Sequence, residues 1–247
     1  MFQIRHNADT NNGGYDMQIL AGLEMHLPFH HQDSLEFLEL VKAIYRPDAV
    51  VCVGDLFDVH ANSRHDADPS GSSSGDELEE AILVAEDVYN LFPTVLYCIG
   101  NHDKRIEKAA YKAGIAKRAI RSLEEIYEIP DTWTVGEYFV LDGVVYEHGD
   151  RFGAGAMSHV KAAVSNMRST VIGHSHTSFG VEYMANRDKL IFGACAGALL
   201  NPDSYAASYA KAYAKKGILG ALIIRDGTMV IPVPMLLDSG GRWVGTI

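Results

Sequence analysis

Basic residues are scarce in this chain, cysteine is rarer still, and long apolar runs are missing. Against 32 Asp and Glu stand 21 Lys and Arg, a formal charge of −11 over 247 residues. That balance excludes a generally basic nucleic-acid coat, and 47% hydrophobic content excludes a disordered chain. The longest apolar runs, such as 218–224, fall far short of the roughly 18 residues that cross a bilayer. The N-terminal stretch 1–16 is polar and rich in Asn and Gly, with no apolar segment before a small-residue cleavage site, so the sequence predicts a cytoplasmic protein and a flexible start. Cys52, Cys98 and Cys195 lie in apolar contexts without metal-type pairing, which predicts reduced, buried thiols.

The first half alternates apolar runs with helical periodicity. Strands are expected at 17–24, 49–53 and 95–99. Helices are expected at 34–45, with Asp33 as N-cap, at 77–91, and within 104–128, interrupted near Gly114. This alternation predicts parallel strands covered by helices. The second half reads as hairpins, with 138–141 and 144–147 flanking Asp142-Gly143, 179–184 before 190–194, and 221–225 before 229–233 across Asp226-Gly227. Further helices are expected at 156–167 and 204–214. Tyr205, Tyr209 and Tyr213 recur at helical spacing and read as core packing. The Ser- and Gly-rich stretch 61–75 reads as a mobile surface loop. No repeat or linker divides the chain, so one domain over 1–247 is expected.

What the sequence has in excess is histidine, 11 in all, placed with carboxylates at strand ends. Glu24-Met25-His26 follows the first strand, Gly54-Asp55-Leu56-Phe57-Asp58 the second, and Gly100-Asn101-His102-Asp103 the third. His148-Gly149 and Gly173-His174-Ser175-His176 close two later strands. In open α/β sheets ligands gather where such strands end. Imidazole, carboxylate and amide oxygen suit divalent Mn, Fe, Zn, Ni or Co, and the lack of thiolates disfavours a structural zinc site. So many ligands exceed one ion's needs; two ions about 3.5–4 Å apart around a shared carboxylate are the arrangement that hydrolyses phosphate esters.

In content and order these clusters resemble the signature of the calcineurin-like metallophosphoesterase superfamily: DxH, GDxxD, GNH(D/E), an isolated His before Gly, and GHxH. The texture His26-Leu27-Pro28-Phe29-His30 is similar to that of phage and bacterial members. The resemblance implies a four-layer α/β/β/α sandwich of two mixed sheets flanked by helices, and two divalent ions, manganese first among the candidates. It implies Glu24, His26, Asp55 and His176 on one ion, and Asp55, Asn101, His148 and His174 on the other, with Asp55 bridging. A hydroxide held between the ions would attack phosphorus in line, His102 would protonate the leaving oxygen, Asp103 would fix the His102 imidazole and raise its pKa, and Asp58 would orient a ligand.

Glu24 departs from the family pattern, which has Asp there. The longer side chain predicts a weaker first site or a different metal preference. His6, His31 and His159 belong to no motif; His30, His60 and His65 are candidate rim residues; Asp150 and Arg151 are as consistent with a loop as with the site. Between Lys104 and Arg121 seven basic residues face one acid, Glu107, so Lys104 and Arg105 are candidates for holding substrate phosphates. Protein phosphatases of the superfamily carry Arg-Gly after GDxxD and GNHE as third motif; here Val59-His60 and Asp103 stand instead. The function expected is therefore hydrolysis of phosphodiesters of nucleotide or nucleic-acid type. The alternatives are a phosphomonoesterase acting on small metabolites or proteins, and a binding module that keeps the fold without catalysis.

Overall fold

The structure, a computed structural model, describes residues 17–63, 71–204 and 216–247. Two mixed sheets stack face to face. The first is ordered β11-β10-β1-β2-β3-β4, with β1 Gln18–Gly22, β2 Ala49–Cys52, β3 Leu96–Cys98, β4 Thr134–Gly136, β10 Gly220–Arg225 and β11 Met229–Pro234. β1 to β4 run parallel, in register Leu20 to Val50 and Val51 to Leu96, while β10 pairs antiparallel to β1. The second sheet is ordered β5-β6-β7-β9-β8, from β5 Tyr138–Leu141, β6 Val144–Glu147, β7 Thr170–Ile172, β8 Gly180–Ala185 and β9 Leu190–Cys195. Its middle strands β6, β7 and β9 are parallel to their neighbours, and its two edges are antiparallel hairpins.

Alternation along each strand sorts side chains into layers. Ile19 and Ala21 of β1 face the second sheet and pack with Val51, Leu222 and Ile224 against Tyr146, Val171 and Phe192. Leu20 points the other way, into a core with Phe37, Leu38 and Val41 of α1 Ser34–Tyr45 and Ala81, Ala85 and Val88 of α2 Ser74–Leu91. On the far face of the second sheet, Ile172 and Cys195 pack against Ala162 of α5 Ser158–Asn166. Helix, sheet, sheet and helix therefore form the four layers that the resemblance implies. The thiols of Cys52, Cys98 and Cys195 are free and buried.

Several local expectations are corrected. Asp33 stands at the N-cap of α1, as expected, but its side chain makes no capping bond: its carboxylate accepts from the Arg242 guanidinium and from the Trp243 amide, at 2.9 Å from the latter, and so ties down residues 242–243 instead. The stretch 61–75 is not all loop. A 3-10 turn takes His60–Asn62, and Ser73 caps α2, accepting from the Asp76 amide at 3.2 Å, so that Ser74 and Gly75 are already helical. The segment after Asp103 is helical and broken near Gly114, as expected: α3 Arg105–Lys112 precedes the break, and beyond the basic residues α4 Leu123–Ile126 is closed by a Ser122/Glu125 capping box. β4 was not expected, being three residues that end in Gly136. The expected helix at 204–214 with its three tyrosines, and the stretch 1–16, lie outside the described residues.

Candidate metal centre

The clusters meet because parallel strands of both sheets point their carboxyl ends at one place. The chain turns sharply there: His26, Asp55 and His174 have φ of 55°, 50° and 61°, the left-handed region that non-glycine residues seldom adopt. Backbone held this way costs on the order of 1–3 kcal/mol per residue and persists where surrounding contacts over-determine it, characteristically at functional sites. Two glycines make the convergence possible. A Cβ on Gly54, itself at φ 97°, would lie 2.7 Å from the His148 ring, and a Cβ on Gly173 would strike Glu24 Oε2.

The donor atoms fall into two nests that meet at Asp55. Glu24, His26 and His176 form one; His176 Nε2 lies 2.9 Å from Glu24 Oε1 and 3.1 Å from His26 Nε2. Asp55, His148 and His174 form the other; His148 Nε2 lies 3.1 Å from Asp55 Oδ2, 3.1 Å from Asn101 Oδ1 and 3.2 Å from His174 Nδ1. His26, Asp55 and His102 make a third grouping between them.

Hydrogen-bond inventory tests whether cations fit. His148 Nδ1 is 2.9 Å from the Val53 carbonyl, which can only accept, so this nitrogen carries the proton and Nε2 presents a lone pair. His26 Nδ1 is likewise held by Asp58 Oδ2 at 2.9 Å, turning its Nε2 lone pair inward. Each nest thus crowds ring nitrogens and carboxylate or amide oxygens within 2.9–3.2 Å of one another, an arrangement rich in lone pairs that a positive charge reconciles. Without a metal, protons take that part. Burial opposes charge on His26, yet Asp58 and Glu24 raise its pKa to about 10. Burial likewise opposes a proton on His148, and Asp55 raises it to about 9. Glu24 resists burial because His176 and His26 hold it down at about 2. The donor set, nitrogen and oxygen without thiolate, suits divalent transition metals.

Glu24 uses its extra length to reach across the site. Both its oxygens accept from the His174 amide, at 3.0 and 2.8 Å, so the carboxylate belongs to one nest while bracing the turn that carries the other. Asp58 is a hub: besides His26 it holds the Arg105 guanidinium and lies 3.7 Å from His60 Nδ1.

Two expectations about neighbouring residues are corrected. Asp103 does not fix the His102 imidazole. Its carboxylate accepts from the amides of Asp55, Phe57 and Gly100 at 2.9, 3.1 and 2.7 Å, tying the second and third motifs together, while burial and the Asp55 charge raise it to about 6. His102 is held instead by Arg105, whose Nη2 is 3.0 Å from His102 Nε2, with Asp58 Oδ2 3.4 Å from Nδ1. Burial lowers the His102 pKa despite the carboxylates of Asp55 and Asp58. Its Nε2 lies 3.8 Å from Asp55 Oδ2, at the mouth of the site. Lys104 is engaged elsewhere, its Nζ 2.9 Å from Glu137 Oε1.

One residue escaped the sequence reading. Glu77 of α2 is buried, and its carboxylate accepts from the His60 and Ala61 amides, fixing the turn beside the site. No motif marks it; on a helix rich in acids it reads as one more solvent-facing glutamate.

Acceptor nests at the carboxyl ends of parallel strands, inside an α/β/β/α sandwich, define the metallophosphoesterase class. The family model for calcineurin-like phosphoesterases matches residues 16–191, and the chain belongs to that family. Among solved structures, Vps29 from Cryptosporidium parvum is 16% identical with a TM-score of 0.43, over 90% of this chain and 98% of the other. Yfce, a phosphoesterase from E. coli, is 16% identical with a TM-score of 0.40, over 84% and 87%. A metallophosphoesterase from Sphaerobacter thermophilus is 13% identical with a TM-score of 0.45, over 89% and 88%. No curated protein matches the chain.

Proposed function

We propose that this chain is a dinuclear metal-dependent phosphoesterase acting on phosphodiesters of nucleotide or nucleic-acid type. The observation that carries the reading is the pair of acceptor nests, one containing Asp55 and the other linked to Asp55 through His26. Glu24, His26, Asp55 and His176 would hold one ion, and Asp55, Asn101, His148 and His174 the other, with manganese first among Mn, Fe, Zn, Ni and Co. Two such ions supply Lewis-acid polarisation of the phosphoryl group and a water acidic enough to attack near neutral pH.

The residues around them divide the remaining work. Asp58 holds His26 in one tautomer, and the Val53 carbonyl does the same for His148, which fixes ring orientation and raises ligand basicity. Asp103 stitches the backbone of the second and third motifs so that Asp55 and Asn101 keep their spacing. His102, at the mouth, is the residue that would give a proton to the departing oxygen once its Nε2, which here accepts from Arg105, turns to the substrate, and Arg105 beside it would offset the charge that grows there.

The test is turnover of bis-p-nitrophenyl phosphate and p-nitrophenyl phosphate with added Mn²⁺, Ni²⁺ or Zn²⁺, for the wild type and for Asp55→Asn. Metal-dependent cleavage of the diester, abolished by Asp55→Asn, supports the reading. Strong preference for the monoester overturns the substrate class, and equal rates in both proteins overturn catalysis at this site.

A further inference from the structure

Beside the mouth of the metal centre lies an open cavity of about 610 Å³, within the range of small-ligand sites. Asn62, Ser63, Asn101 and His102 line it together with one face of α3. Arg105, Lys108, Ala109 and Lys112 lie on that face because their spacing of three and four residues stacks them on one side of a helix. The opposite side of α3 serves the fold: Ile106 packs on the core, and Glu107 pairs with Lys117 at 2.9 Å.

The cations of this wall are not equivalent. Arg105 is bound to Asp58 and His102. Lys108 reaches only a backbone carbonyl, that of Asn101 at 3.4 Å, and neither Lys108 nor Lys112 meets a carboxylate among the described residues. Both are exposed, in a chain whose formal charge is −11. Two unpaired cations one helical turn apart, about 6 Å along the axis, thus line a cavity that opens from the place where the leaving group departs. Among the described residues no ring besides that of His102 lines this cavity, whose described wall offers charge rather than a stacking platform.

We infer that Lys108 and Lys112 form a subsite for a phosphate that the substrate carries beyond the scissile one, so that the preferred substrate is an oligonucleotide strand held by its backbone with no base readout. This rests on the phosphodiesterase reading above and deepens it: Lys108 and Lys112, rather than Lys104, become the residues that hold flanking phosphate.

Binding of a short 5′-fluorescein-labelled oligothymidylate, followed by anisotropy in excess EDTA so that nothing is cleaved, tests the subsite apart from the chemistry. The double variant Lys108→Gln/Lys112→Gln is expected to bind roughly tenfold more weakly, with a log–log salt slope smaller by about 0.7, the contribution of the one flanking phosphate that the two lysines share. The control pair Lys161→Gln/Arg168→Gln removes the same charge from exposed positions in α5 and in the turn that follows it, and should bind like wild type. Unchanged affinity and slope in the Lys108/Lys112 variant, equal weakening by the control pair, or no binding by wild type would each overturn the inference. Bis-p-nitrophenyl phosphate, which lacks a second phosphate, should be turned over equally by wild type and the Lys108/Lys112 variant. Absent turnover with lysine-dependent binding intact would remove the catalytic reading and leave the phosphate subsite standing.

Discussion

His102 is the residue whose role the surroundings constrain most. It is held by Arg105 on one nitrogen and approached by Asp58 on the other, at the one edge of the site that opens to the cavity. A proton donor matters in proportion to how poor the leaving group is. His102→Ala should therefore lower kcat by about 10²–10³ on a diester with an alkyl leaving group, within the usual range for general acid catalysis, and by far less on a p-nitrophenyl ester. Equal losses on both substrates would assign His102 to positioning rather than proton transfer. Glu24 invites a second substitution. Because its carboxylate serves both a ligand nest and the His174 amide, Glu24→Asp should change metal affinity or preference by isothermal titration with Mn²⁺ and Zn²⁺, while loosening the turn at His174. Unchanged binding of both metals would show that the extra methylene is without consequence for the site.

The same nests set a pH dependence. The pKa values of His26 and His148 are raised in the folded, metal-free protein to about 10 and about 9, from 6.5. Groups raised in this way stabilise the metal-free fold fully below pH 6.5, and that stabilisation is lost as pH climbs through 9 to 10. A bound cation removes the need for those protons, so metal binding strengthens as pH rises. Thermal melts at pH 6.5 and 8.5, in EDTA and in Mn²⁺, should show the gap in Tm between loaded and stripped protein widening at the higher pH. A gap that narrows would mean that these imidazoles do not face the metal.

At the scale of elements, what could be read in advance was what depends on local pattern. α1 starts and stops where its apolar stripe does, and the β5/β6 hairpin falls on its Asp142-Gly143 turn, because period and turn chemistry act over a few residues. The ligand clusters were legible for the same reason, each being compact in sequence. What escaped depends on partners distant along the chain. Asp33 looks like a helix cap until Arg242 and the Trp243 amide, more than 200 residues on, claim its carboxylate. Asp103 looks like the natural partner of adjacent His102 until three backbone amides claim it, and Glu77 has no local mark at all. The Arg242 contact lowers Asp33 to about 2, so its contribution is present above its ordinary pKa near 3.8 and is lost as pH falls through 2. Asp33→Asn should release the segment 236–247, read as faster amide exchange at Trp243 at neutral pH; unchanged protection would mean that Phe37 packing and the His31 bond to the Gly241 carbonyl hold the tail without Asp33.

At the scale of the whole molecule, the stacked sheets act as a rigid frame for ligands drawn from five separate segments. Leu222 sits between the sheets, fully buried among side chains of both. Leu222→Ala should cost about 2–5 kcal/mol in denaturant unfolding. A loss much below 1 kcal/mol would mean that the inter-sheet layer is loosely packed.

The central claim is that this frame brings two cations to opposite sides of the Asp55 carboxylate. Anomalous diffraction at the manganese edge, from crystals grown with excess Mn²⁺, tests it most directly. Two peaks about 3.5–4 Å apart are expected, one among Glu24, His26 and His176, the other among Asn101, His148 and His174, with Asp55 touching both. A single peak, or two peaks that Asp55 does not join, would contradict it.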